Sequence, residues 1–90
     1  MRVAGKVALI SGGARGIGAA CARLLAREGA AVVLGDLLEE EGRQTEAEII
    51  EAGGQALFVP LDVTCEEDWL RVVQATVVSY GKLDVLVNNA

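Results

Sequence analysis

The sequence predicts an α/β fold, a doubly wound parallel sheet of four strands in the order 3-2-1-4 with three helices as crossovers. Three observations carry that prediction. Short apolar runs alternate with helix-period segments along the chain, which is the rhythm of a parallel sheet with right-handed connections. The first run passes into the first helix through Ser11-Gly12-Gly13-Ala14-Arg15-Gly16-Ile17-Gly18, a loop with almost no side chains. Composition is 52% hydrophobic but only 3% aromatic, a profile rich in Val, Leu, Ile and Ala that suits strands buried on both faces.

Taken in order, Val7 to Ile10 is the first strand, a continuous apolar run. The first helix starts near Gly16, with Ile17, Cys21, Leu24 and Leu25 at helical spacing opposite Arg23, Arg27 and Glu28, and Gly29 stops it. Ala30 to Gly35 is a second buried strand that ends at Asp36, which completes a β-α-β unit of about 30 residues. The acidic segment from Glu39 to Ala52 reads as a second helix held by a narrow stripe of Ala47, Ile49 and Ile50, and Gly53-Gly54 ends it. Gln55 to Pro60 is a third strand, with the proline at its margin where a missing N–H does least harm. Beyond the loop at Asp62-Val63, Thr64-Cys65-Glu66-Glu67 has the form of a capping box, Thr64 capping and Glu67 returning to the Thr64 N–H. Trp69, Val72, Val73, Thr76, Val77 and Tyr80 give the third helix its apolar stripe, so Trp69 and Tyr80 read as core residues, and Gly81 closes it. Leu83 to Val87 is the fourth strand, followed by Asn88-Asn89-Ala90. In the order 3-2-1-4 the switch point lies between strands one and four, which brings Gly12 and Asn88 to one crevice.

Charge and composition exclude several functions. A net charge of -5 and a pI near 4.6, with no cluster among the 8 Lys and Arg, argue against a nucleic-acid surface. No apolar run approaches the roughly 18–20 residues of a membrane span, and the start Met1-Arg2-Val3-Ala4-Gly5-Lys6 is too abruptly charged for a signal peptide. A cytoplasmic protein without membrane contact is expected. Cys21 and Cys65 are isolated and there is no His, so neither a disulfide framework nor a metal site is expected. Ninety residues make one domain, 1–90.

The glycine loop supplies the chemistry. Glycines admit backbone conformations closed to other residues and let a pyrophosphate approach the main chain, while the first N–H groups of the following helix face the anion. The spacing is not that of G-x-G-x-x-G, because Gly12, Gly16 and Gly18 put the wider gap first. A Walker loop fails as well, since Ala19 and Ala20 stand where Lys and Ser/Thr would be needed. The order G-x-x-x-G-x-G after a strand resembles the short-chain dehydrogenase/reductase family, with Ser11 in place of that family's usual Thr. Asp36 at the end of strand two, Asp62-Val63 after strand three and Asn88-Asn89-Ala90 after strand four extend the resemblance over the whole chain.

The resemblance implies a Rossmann-type nucleotide-binding domain and a hydride transfer between a nicotinamide cofactor and an alcohol or carbonyl substrate. It implies that Gly12, Arg15, Gly16, Ile17 and Gly18 line the phosphates, that Asp62 binds the adenine amine and the Val63 backbone the ring nitrogen, and that Asn88 and Ala90 flank the adenosine. Asp36 lies at the position of a ribose-binding acid, and a carboxylate there accepts from the ribose hydroxyls of NAD but repels the 2′-phosphate of NADP. NAD is the expected cofactor. Plainer readings stand beside these, in which Asp62 caps a turn, Asn88-Asn89 ends a strand and Arg15 is merely solvated. The family's catalytic Ser and Tyr-x-x-x-Lys have no counterpart, because Tyr80 is the only tyrosine and Asp84, not Lys, follows four residues on. The expected function is therefore the cofactor half of an NAD(H)-dependent oxidoreductase, truncated after the fourth strand, inactive alone and homo-oligomeric in its parent. The alternative is a non-catalytic nucleotide-binding module or partner subunit.

Overall fold

The computed structural model describes residues 3–89. Strands β1 (Val7–Ser11), β2 (Ala31–Asp36), β3 (Gln55–Pro60) and β4 (Val85–Asn88) alternate with helices α1 (Gly16–Arg27), α2 (Glu39–Glu51) and α3 (Glu66–Tyr80). All pairings are parallel and the order is β3-β2-β1-β4, as the sequence predicts. Ser11 lies level with Gly35 on one side and Asn88 on the other, so β1, β2 and β4 end together.

Alternation along each strand sorts the core onto two faces. Ala8, Ile10, Val32, Leu34, Ala56 and Phe58 face α1 and α2, where they meet Ala22, Leu25, Ala26 and Ile49. On the other face Leu9, Val33, Val59 and Leu61 meet Val72 of α3, with Trp69 and Tyr80 packed at the margin. Leu9, Ile10, Val32, Val33 and Leu34 are completely buried, and each contributes about 1.5–3 kcal/mol of transfer free energy.

Five details differ from the sequence reading. Helix α3 buries only Val72 and Thr76 of its expected stripe and leaves Val73 and Val77 exposed. Helix α1 buries Gly18, Ala19, Ala22, Leu25 and Ala26, while Ile17 is 80% exposed and Leu24 is exposed. Small residues make up most of the buried face because Gly18 packs against the glycine loop, so Ile17 and Leu24 are turned outward while Leu25 stays buried. Helix α2 likewise uses Gly42, Thr45 and Ile49, and leaves Ala47 and Ile50 exposed. A Cβ at Gly42 would overlap the Phe58 ring, which fixes how near this helix sits. The capping box does not form. Cys65 is the N-cap of α3 and no side chain caps it, because the Asp62 carboxylate has taken both the Thr64 N–H (2.9 Å) and the Thr64 hydroxyl (2.6 Å). Strand β4 starts at Val85 rather than Leu83, since Asp84 accepts the Val7 N–H through its side chain at 2.9 Å.

Candidate functional site

The glycine loop leaves β1 where β2 and β4 end, and backbone bonds fix it there. Gly12 (φ +69°) donates its N–H to the Gly35 carbonyl at 2.8 Å, and the Gly13 N–H reaches the same oxygen at 3.5 Å. Ala14 donates to the Asp36 carboxylate at 3.1 Å and its carbonyl accepts the Thr45 hydroxyl at 2.8 Å. The glycines serve different ends. Gly16 (φ +62°) needs its backbone conformation but has open space where a Cβ would stand, whereas a Cβ at Gly18 would overlap the Gly12 carbonyl oxygen and press on the Asn89 amide. Gly18 therefore serves close packing of helix on loop rather than clearance for an anion. Arg15, Gly16 and Ile17 form the exposed rim.

Helix α1 begins at this rim with no acid in its first turn. The first N–H groups of a helix lack intrahelical partners and carry the positive end of the dipole. Glu39, Glu40 and Glu41 answer that charge in α2, and Glu66, Glu67 and Asp68 do so in α3. In α1 the first turn holds no acid and Arg15, the N-cap, makes no side-chain cap bond. An anionic group fits there by charge and by the space over Gly16.

Asp36 stands beside this end of the helix. One carboxylate oxygen takes the Ala14 N–H and the other takes the Leu38 N–H at 3.0 Å, so the group is oriented and still has lone pairs for a further donor. On the other side of β1 the Ser11 hydroxyl donates to the Asn88 side-chain oxygen at 2.9 Å and accepts the Asn89 N–H at 3.1 Å. The Asn89 amide reaches the Gly12 carbonyl at 3.4 Å. Gly12, Gly16, Gly18, Asp36 and Asn88 are thus brought to one edge of the sheet. Asp62 and Val63 follow β3, which pairs Pro60 with Asp36. The Thr64 hydroxyl and N–H both donate to the Asp62 carboxylate, which closes a turn there, and together they hold that carboxyl below the usual range. Ala90 lies outside the described residues.

No acid–base pair adjoins this edge among the described residues. Tyr80 lines a small depression with Gly5, Lys6, Gly29 and Lys82 near the starts of the strands, away from the glycine loop. Burial and then the Glu46 charge raise its phenol above the ordinary value, the reverse of activation. Lys82 pairs with Asp84 at 3.2 Å. The described residues hold no cluster suited to a metal, and none of their helices is long and apolar enough to cross a membrane.

Sequence reasoning missed Thr45 and Ala14. The signal was available in part, since Thr45 falls on the stripe of Gly42 and Ile49, and a hydroxyl on a buried stripe must find a partner.

The short chain dehydrogenase family model matches residues 6–90. The chain is 54% identical over 89 residues to 2,5-dichloro-2,5-cyclohexadiene-1,4-diol dehydrogenase of Sphingobium indicum, covering 99% of this chain and 36% of that protein. Among solved structures, a hydroxysteroid dehydrogenase from Escherichia coli superposes with a TM-score of 0.96 at 37% identity, covering 99% of this chain and 38% of that one. A metagenomic short-chain oxidoreductase in complex with NADP superposes at 0.90 with 41% identity, over 98% of this chain and 40% of that one. The chain spans about a third of the length of the curated relatives it matches.

Proposed function

The chain belongs to the short-chain dehydrogenase/reductase family, and from that premise we propose that it is the NAD(H)-binding part of an oxidoreductase that interconverts an alcohol and a carbonyl compound. Residues 1–90 form one cofactor-binding domain in this reading. The observation that carries it is the juxtaposition of the uncapped α1 N-terminus with Asp36, joined through the Ala14 N–H. The first supplies backbone donors for a pyrophosphate, and the second supplies an oriented carboxylate for the adenosine ribose.

Gly12 and Gly16 shape the loop, Gly18 brings the helix against it, and the Arg15 and Ile17 backbones border the phosphates. Asp62 and Val63 border the adenine, and Asn88 and Ala90 the adenosine from the other side. The bound dinucleotide supplies hydride chemistry, while these residues bind and orient it. Relatives named for a cyclohexadiene diol and a hydroxysteroid support a secondary alcohol as substrate.

The NADP complex of one structural relative makes the choice of cofactor depend on this chain's own residues. An ionised Asp36 meets a 2′-phosphate as a like charge, and Leu37 offers no compensating cation. Exposed Arg15 is the one opposing feature, and a single flexible surface contact is worth little against close repulsion. NAD preference is accordingly expected to be at least about tenfold, or roughly 1.4 kcal/mol. The test is steady-state turnover of secondary alcohols by the full-length protein with each dinucleotide, before and after Asp36→Ala with Leu37→Arg. The parent should turn over with NAD and the double variant should shift toward NADP. Absence of dinucleotide-dependent turnover, or NADP preference in the parent, would overturn the proposal.

A further inference from the structure

We infer that Thr45 is a positioning residue for the dinucleotide, a buried hydroxyl on α2 that holds the glycine loop in its binding shape. Thr45 is 3% exposed and Ala14 is 2% exposed, and the bond from the Thr45 Oγ1 to the Ala14 carbonyl measures 2.8 Å. The N–H of the same residue is held by Asp36 at 3.1 Å. Ala14 is therefore pinned on both sides, its N–H by the end of β2 and its carbonyl by α2. The peptide unit fixed by the Thr45 hydroxyl joins Ala14 to Arg15, whose extended backbone (φ −154°, ψ 176°) leads into Gly16 at φ +62°. Orientation of that unit sets where the exposed rim of Arg15, Gly16 and Ile17 presents its N–H groups.

The hydroxyl is carried by a rigidly seated helix. Gly42, one turn before Thr45, lies against the Phe58 ring with no room for a Cβ. Glu46, the next residue, accepts the Phe58 N–H at 2.6 Å. With both groups buried, water cannot readily replace a deleted hydroxyl, so the Ala14 carbonyl would be left unpaired. The loop would then relax toward a conformation that satisfies it, and the donors at the start of α1 would move with it. Thr45 touches no reacting group, so the effect belongs in dinucleotide affinity and not in the chemical step.

The inference rests on the dinucleotide reading above, and its test separates the two. In the full-length protein, Thr45→Val keeps the shape and removes the hydroxyl, while Thr45→Ser keeps the hydroxyl and removes the methyl. Thr45→Val should raise the Kd and KM for NAD by about tenfold with kcat unchanged, and Thr45→Ser should stay within about twofold of the parent. Amide exchange at Gly12 and Ala14, whose N–H groups are bonded to Gly35 and Asp36, should speed up without dinucleotide in Thr45→Val and not in Thr45→Ser. Equal affinity and equal exchange in all three proteins would overturn the role of Thr45. A parent that binds neither dinucleotide overturns the functional reading, and the exchange comparison then decides whether Thr45 holds the loop.

Discussion

Gly16 and Gly18 stand two positions apart and should lose stability on substitution to different degrees and for different reasons. Gly16→Ala meets open space and bears only the strain of a positive φ, which costs about 1 kcal/mol. Gly18→Ala drives its methyl into the Gly12 carbonyl, an overpacking expected to cost about 3 kcal/mol and to displace the loop. Thermal melts of the two variants check the ranking, and equal losses would contradict it. The motif was legible in the sequence but its division of labour was not, because spacing shows where glycines stand and not which neighbour each one admits. Asp84 gives a pH-dependent case. Its carboxyl is held below the ordinary range by the Val7 N–H and then by Lys82, against the opposing effect of desolvation. A depressed folded pKa means the stabilisation is present above the unfolded value and fades as pH falls through the folded one. Asp84→Asn should therefore be less stable than the parent at pH 7, with a difference that shrinks below about pH 4. Urea denaturation across that range is the measurement, and a constant difference would count against the assignment.

The elements themselves were readable to within two residues, because apolar runs, glycine stops and the marginal Pro60 are local signals. The faces of the helices were less so. Helical spacing puts Ile17 and Leu24 inward, yet Ala19, Ala22 and Ala26 face the sheet with Leu25, because Gly18 packs directly on the glycine loop. In α2 the same rule selects Gly42 over Ala47. Gly42→Ala should consequently cost about 1–3 kcal/mol through overlap with Phe58, although Ala is the better helix former by about 1 kcal/mol. A raised Tm for this variant would show that the helix yields and that propensity governs. The capping box at Thr64 failed for a related reason, since Asp62 lies closer in the chain and took its donors first. Sequence patterns name the candidates for a bond, and the turn in which they sit decides the winner.

At the scale of the whole molecule, topology places the site. The order β3-β2-β1-β4 brings the ends of β1, β2 and β4 to one edge, and it was legible as the most economical arrangement of four strands joined by helical crossovers. The same order puts β4 at the rim of the sheet, where Leu86 is 55% exposed, and Leu70, Val73 and Val77 line an exposed stripe of α3. Residues 1–90 expressed alone should therefore associate in a concentration-dependent way, as uncovered strand edges and apolar stripes do. Sedimentation velocity would contradict this by showing a monomer at every concentration. What the sequence could not show was the joint between α2 and the glycine loop, since Thr45 and Ala14 are 31 positions apart and meet only through tertiary packing. Asp36, oriented beside the α1 N-terminus, carries the proposed choice of NAD. Calorimetric titration of the full-length protein with NAD and with NADP decides this. Binding of NAD at least about tenfold tighter than NADP is the predicted result, and equal affinities, tighter NADP or no binding of either would contradict it.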